Sequence, residues 1–195
     1  VAQLQYAYGE YTDNEALKQL GMHVAAREET ILPVDTPESY RVLCKMFRST
    51  PAPVQPLTAQ DRQLEKLQVG AWVRDGLQLV IKGGHNAESH NHNDVGTFML
   101  YKGSIPVFVD AGVGTYTKQT FSGERYSIWS MQSGWHNLPI INGKTQRHGA
   151  LYKAADVEVC AKGKAKTFKL DIVGAYRKGT DCRSWIREYK LTDKL

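Results

Sequence analysis

Apolar residues follow two rhythms along the chain. From Val1 to about Pro56 they recur at helical spacing. Between Asp13 and Glu29, the residues Ala16, Leu17, Leu20, Val24 and Ala25 share one face, and Asp13 stands where an N-cap belongs. Between Thr36 and Ser49, Tyr40, Leu43, Cys44 and Phe47 form a second stripe. Thr36 can cap that helix, and Pro37 fits its first turn, where a missing N–H costs nothing. "STPAPVQPL" then carries three prolines, which predicts an extended linker.

From about Leu67 the spacing shortens to alternation. "GAWVRDG" and "LQLVIKGG" meet at Asp75-Gly76, a strong hairpin signal because both residues tolerate the backbone a tight turn needs. "VGTFMLYKG" and "IPVFVDAG" meet around Lys102, Gly103 and Ser104. "NLPIING", "DVEVCAKG", "FKLDIVGAY" and "SWIREYKL" read as further strands. Many short strands with glycine turns between them predict an antiparallel sandwich or barrel. The expected fold is mainly β: an antiparallel β-sandwich over residues 57–195, preceded by a short helical segment and linker over residues 1–56. The last residues, "REYKLTDKL", read as a strand cut short, so the β domain is expected to be incomplete at its C-terminus.

Composition narrows the class. Of 195 residues, 42% are hydrophobic and 23% charged, enough for one real core in a soluble protein. A net charge of +5 suits an acidic polymer as partner, although the same excess also serves solubility. No polybasic block of the nucleic-acid type is present; the lysines of "AKGKAKTFK" alternate as on the wet face of a strand. No apolar run is long enough to span a membrane, and no signal peptide is visible. Cys44, Cys160 and Cys182 are widely spaced, which argues against a zinc finger or a dense disulfide scaffold.

The chemistry concentrates in "GHNAESHNHNDVG", Gly84 to Gly96, which holds His85, His90 and His92. On an extended segment the side chains of His90 and His92 would face the same way. Asp110 ends "IPVFVD", and His136 lies in "SGWHNLPIING". Two imidazoles and a carboxylate suit zinc and leave a fourth position open. Asn91, Asn93, Asp94 and Asn137 could orient the imidazoles. Plainer readings stand beside these: Asp110 as a turn carboxylate, His136 as a core histidine bonded to backbone. Asn86, Glu88 and Asn91 are candidates to meet substrate, against a local role in bonding loop backbone. Trp129 and Trp135 are expected in the core, with stacking on a sugar ring as the other use. His85 and His148 have no assigned role.

In order, "GHNAESHNHNDVGTFMLY", "PVFVDAGVGTYT", "ERYSIW" and "SGWHNLPIING" resemble the β-sheet domain of the heparinase II/III-like polysaccharide lyases. The clear match runs from about Gly83 to Gly143. The resemblance implies an α/α toroid of helices before the sandwich, most of it outside this chain. It implies a structural zinc ion held by His92, Asp110 and His136. His90 matches a histidine that lines the lyase cleft. Tyr126 in "ERYSIW" matches a tyrosine that some members contribute, with Tyr116 in "GVGTYT" as its rival. The implied activity is β-elimination on a uronic-acid polysaccharide such as heparin, heparan sulfate or alginate. The implied location is the periplasm or outside the cell, and a homodimer stays open. This chain alone, without the toroid, is expected to be inactive. Two other classes compete: a non-catalytic zinc-stabilised sandwich that binds an acidic glycan, and a cupin-like metal enzyme. Cupins share the His-x-His unit, but the glutamate expected after it is missing here.

Overall fold

A computed structural model describes residues 2–25, 59–161, 163, 165–176 and 179–192. The helix expected over Thr36 to Ser49 and the proline-rich linker lie outside the described residues. The chain divides into two compact units, Val1–Thr58 and Ala59–Leu195.

Among its described residues the first unit contains two helices, α1 (Ala2–Tyr11) and α2 (Glu15–Ala25). The cap of α2 is Asn14 rather than Asp13. The Leu17 N–H donates to Asn14 Oδ1 at 3.1 Å, satisfying one of the helix's open donors. Asp13 is spent on the turn, at φ 49°, so the cap falls one residue later. The helices pack closely at Gly9, where an added Cβ would come within 2.7 Å of the Lys18 nitrogen.

Among its described residues the second unit holds ten strands. They are β1 (Arg62–Leu64), β2 (Val69–Arg74), β3 (Leu77–Lys82), β4 (His85–Asn86), β5 (Phe98–Lys102), β6 (Ile105–Phe108), β7 (Gly149–Lys153), β8 (Ala155–Cys160), β9 (Ala165–Asp171) and β10 (Ile186–Thr192). They pair antiparallel in three sheets: β1-β2-β3-β5-β6, β10-β9-β8 and the small β4-β7. The β2–β3 hairpin turns at Asp75 and Gly76, at φ 49° and 77°, the left-handed pair such a turn requires. "NLPIING" is not a strand. Asn142 and Gly143 reverse the chain at φ 47° and 71°, leaving only a bridge between Ile141 and Lys144.

Period-two patterning builds the core. Gly70 and Trp72 on β2 oppose Ile81 and Leu79 on β3, and these oppose Phe98 and Leu100 on β5. On the other sheet Phe168 and Leu170 of β9 pair with Tyr189 and Arg187 of β10. The two inner faces meet where Trp72 packs on Phe168 at 6.2 Å between ring centroids. Gly70 is needed beneath that contact, since a Cβ there would lie 3.3 Å from the Phe168 ring. Val95, Ile141, Ile172 and Tyr176 complete the same buried core. Central strands β3 and β5 are neighbours, so the segment joining them is held at both ends by the stiffest part of the fold. No disulfide joins Cys160 to Cys182, and Cys44 lies outside the described residues. Among the described residues no helix is long and apolar enough to cross a membrane.

Candidate active site

The segment from Gly84 to Gly96 is a folded loop with a buried neck. Asn86 is fully buried, and its amide is spent on that neck. Its Nδ2 donates to Gln146 Oε1 and to the Arg147 carbonyl, both at 3.0 Å, and its Oδ1 accepts the Asp94 N–H at 3.2 Å. Gln146 completes the clamp: its Oε1 also accepts the Val95 N–H, and its Nε2 donates to the Val95 carbonyl at 2.7 Å. Asn86 is therefore a structural residue, and its candidacy as a sugar contact is corrected. At the far end, the Gly96 carbonyl accepts from Arg187 Nη1 at 3.1 Å and from the Tyr189 hydroxyl at 2.6 Å. Gly96 has φ 86°, and a Cβ would meet Ile172 at 2.5 Å, so only glycine closes the loop here.

The tip of the loop is held from outside. Arg125 donates through Nη2 at 2.8 Å and Nε at 3.3 Å to the Asn91 carbonyl, and through Nη1 to the Thr120 carbonyl. The Tyr126 hydroxyl donates to Asn91 Oδ1 at 2.8 Å, while Asn91 Nδ2 donates to the His92 carbonyl. The Tyr126 ring stacks on His148, with centroids 4.5 Å apart and planes 6° from parallel. The Asn93 N–H donates to the Met131 carbonyl at 3.0 Å.

Held in this way, His90 and His92 do not face the same direction. His90 takes a left-handed backbone, φ 56°, and its side chain is exposed. Its ring meets the Tyr116 ring edge-on, 6.3 Å between centroids. His92 is buried, 5.3 Å from the His136 ring. His136 is buried too, and its Nδ1 lies 2.5 Å from Asp110 Oδ1. Asp110 Oδ1 also accepts its neighbour Ala111's N–H at 3.0 Å. Asn137, next in the chain, donates to the carbonyls of Phe98 and Val109, fixing His136 against the ends of β5 and β6. Thus His92, Asp110 and His136 come together from three segments, while His90 stands apart in the open.

Electrostatics sort the cluster. Burial lowers the His92 pKa, opposed by Asp94, so the imidazole is neutral at neutral pH. Burial works to raise the Asp110 pKa, but the hydrogen bond and charge of His136 outweigh it and the carboxyl titrates below its usual range. His136 Nε2 is buried without a hydrogen-bond partner. A buried ring nitrogen with nothing to bond is costly unless something binds it. Among the described residues no group of three or more His, Cys, Asp and Glu side chains is arranged so that it could hold a metal ion. By donor chemistry, though not by present spacing, the set suits a cation: a neutral imidazole, an ionised carboxylate and an orphaned ring nitrogen.

A cleft of about 380 Å³ opens beside the cluster. Glu88, His90, Asn91, His92 and Asp110 line it, with the Lys82–Asp94 ion pair, 2.5 Å, at its wall. Glu88 also lies 3.8 Å from His85 Nε2. Tyr126 reaches the cleft only through Asn91. Trp129 and Trp135, expected in the core, are exposed at 56% and 61% and pair edge to face. Sequence reasoning missed Gln146, Arg125 and Arg187 as loop anchors. Their partners lie up to 91 residues away, and no local pattern marks a buried glutamine or a carbonyl-binding arginine.

A sequence profile described as heparinase II/III-like, C-terminal matches residues 59–188. Among solved structures, a heparinase III (the BT4657 gene product, with methylated lysines) shares 18% identity over 98% of this chain and 25% of its own, with a TM-score of 0.60. The heparan sulfate lyase HepC of Pedobacter heparinus shares 18% identity over 92% of this chain and 26% of its own, with a TM-score of 0.51. At that identity the likeness establishes the fold, and the chain spans about a quarter of the length of these structures. No curated protein sequence matches the chain.

Proposed function

The chain belongs to the heparinase II/III-like family, and we propose that it forms the β-sheet part of a polysaccharide lyase acting on a uronic-acid polysaccharide by β-elimination. The observation that carries this reading is the cleft in which an exposed His90 stands on a loop clamped at neck and tip. In β-elimination a base removes the C5 proton beside the uronate carboxylate, and an acid protonates the leaving glycosidic oxygen. The difficulty is charge: beside an ionised carboxylate the C5 proton is only weakly acidic, so neutral donors must hold that carboxylate. His90 is the candidate to exchange protons with substrate, being solvent-facing and mounted on a rigid loop. Glu88 and Asn91 border the space a sugar would fill. Tyr126 is assigned with His90 as the second proton-handling group, reaching the loop through Asn91. A second reading gives that role to Tyr116, whose half-exposed ring stands edge-on to His90. The remaining groups would come from a helical domain, so this chain alone is inactive. Uronate polymers of this kind are met outside the cytoplasm, which favours a periplasmic or secreted protein.

His92, Asp110 and His136 would hold a zinc ion. Bound there, zinc would supply rigidity, tying the loop, the end of β6 and the segment before Asn137 into one rim. The orphaned Nε2 of His136 supports this assignment.

Two measurements test the proposal. Zinc content of purified protein is expected at one ion per chain, with a melting temperature that drops on chelation. A chain with no bound zinc and no response to chelator removes the metal assignment. In the longer protein, uronate polymers should yield the ultraviolet absorbance of an unsaturated product. His90→Ala should abolish that signal and keep the zinc. Tyr126→Phe and Tyr116→Phe distinguish the two tyrosines, since only the one that handles a proton lowers kcat by a factor of about 100 or more. Absence of product from every uronate polymer removes the lyase reading.

A further inference from the structure

Trp129 and Trp135 are the largest apolar side chains this site leaves in water. Both are more than half exposed, with ring centroids 5.4 Å apart and planes at 74°. Two exposed rings at such an angle offer a corner of flat apolar surface. They lie on a segment tied to the histidine loop. Ahead of Trp129, Tyr126 donates to Asn91; between the two tryptophans, the Met131 carbonyl accepts from Asn93. Gln132 Nε2 stiffens the segment by donating to the Tyr126 and Ser127 carbonyls at 3.1 and 3.2 Å.

A basic stretch runs beside them. The Gln146 N–H donates to Ser133 Oγ at 2.8 Å, Thr145 packs over Gly134, and His148 stacks on Tyr126. Residues 144–148 therefore flank residues 126–135; Lys144 is exposed there, while the exposed Arg147 turns its guanidinium over the Tyr152 ring, 5.9 Å from its centroid. Aromatic faces take up the C–H face of a pyranose ring, while cations beside them meet its anionic substituents.

We propose that Trp129 and Trp135 form a stacking subsite for a ring of an acidic polysaccharide, with Lys144 supplying the charge beside it. This rests on the uronate-polysaccharide reading and extends it to a place where the polymer is gripped outside the cleft.

Titration calorimetry of the 195-residue chain with heparan sulfate hexasaccharide, mannuronate hexasaccharide and neutral cellohexaose tests it. The expected result is binding of at least one acidic ligand, weakened about tenfold by Trp129→Ala and by Trp135→Ala, equivalent to about 1.4 kcal/mol each. The Trp129→Phe and Trp135→Phe variants keep part of the affinity. Because both rings are exposed, all four variants should melt with the wild type, which separates lost binding from lost folding. Acidic ligands that bind the alanine variants as tightly as wild type overturn the subsite and leave the uronate reading standing. Binding of cellohexaose alone overturns the uronate reading and the charge half of the subsite. Binding of none overturns the subsite, and the product assay on the longer protein judges the uronate reading separately. Tryptophan-dependent self-association without saccharide, seen by sedimentation, also overturns it and makes this face a protein interface.

Discussion

Replacing Asn86 by alanine separates a structural role from a sugar-binding one. The substitution deletes three hydrogen bonds in a side chain with no solvent exposure. Gln146 Oε1 keeps a donor, the Val95 N–H. The Arg147 carbonyl sits at a partly buried position that water can reach. The Asp94 N–H is buried and has no such rescue. A buried donor left unsatisfied costs about 1–3 kcal/mol, and the small cavity adds to it, so the expected loss is about 2–4 kcal/mol. Against a total stability of about 5–15 kcal/mol this is severe without being fatal. Asn86→Asp should be at least as bad. It keeps the acceptor for Asp94 but sets a carboxylate against two other acceptors, Gln146 Oε1 and the Arg147 carbonyl. Urea titration reads the loss as a lower midpoint at unchanged slope. A loss below about 0.5 kcal/mol, the range of ordinary surface substitutions, would refute the argument that this amide closes the loop.

Arg187→Met keeps an aliphatic stem but removes the guanidinium that lies over the Phe98 and Tyr189 rings and donates to the Gly96 and Asn137 carbonyls. The expected cost is about 2–3 kcal/mol, with faster amide exchange in the loop and after His136, read by hydrogen exchange. In metal-free protein His92 makes stability depend on pH. Its folded pKa lies below the ordinary 6.5, so the unfolded chain takes up a proton that the folded chain refuses. Stability is therefore full above about pH 6.5 and falls as pH drops towards the folded value; His92→Gln should flatten that slope in urea titrations run from pH 7 to 5. Asp110 acts in the same direction at lower pH, from about 3.8 downward, and Asp110→Asn should remove that component of acid unfolding.

What the sequence could reveal depended on how local each cause was. The β2–β3 and β5–β6 turns were legible because Asp75-Gly76 and Gly103 solve a backbone problem within two or three residues. The core faces were legible because alternation survives in Trp72, Leu79, Ile81, Phe168 and Leu170. The grouping of His92, Asp110 and His136 came from long ordered motifs, since spacing alone left each with a plainer use. Side-chain direction in the loop was not legible. Reading His90 and His92 as a same-face pair assumed strand geometry, and one left-handed residue breaks it. With the Asn91 N–H bonded to the Glu88 carbonyl, the chain turns at His90, sending that ring to solvent and the next imidazole inward. Asn86 and Trp129 failed in opposite senses for one reason. Polarity suggested surface for the first and ring size suggested core for the second. Burial follows partners instead: Gln146, distant in sequence, draws the amide in, while Trp129 and Trp135 find each other at the surface. The residues that decide this site's chemistry are thus set by those that clamp it, so a change at Gln146 or Arg125 should disturb His90 as much as a change in the loop itself.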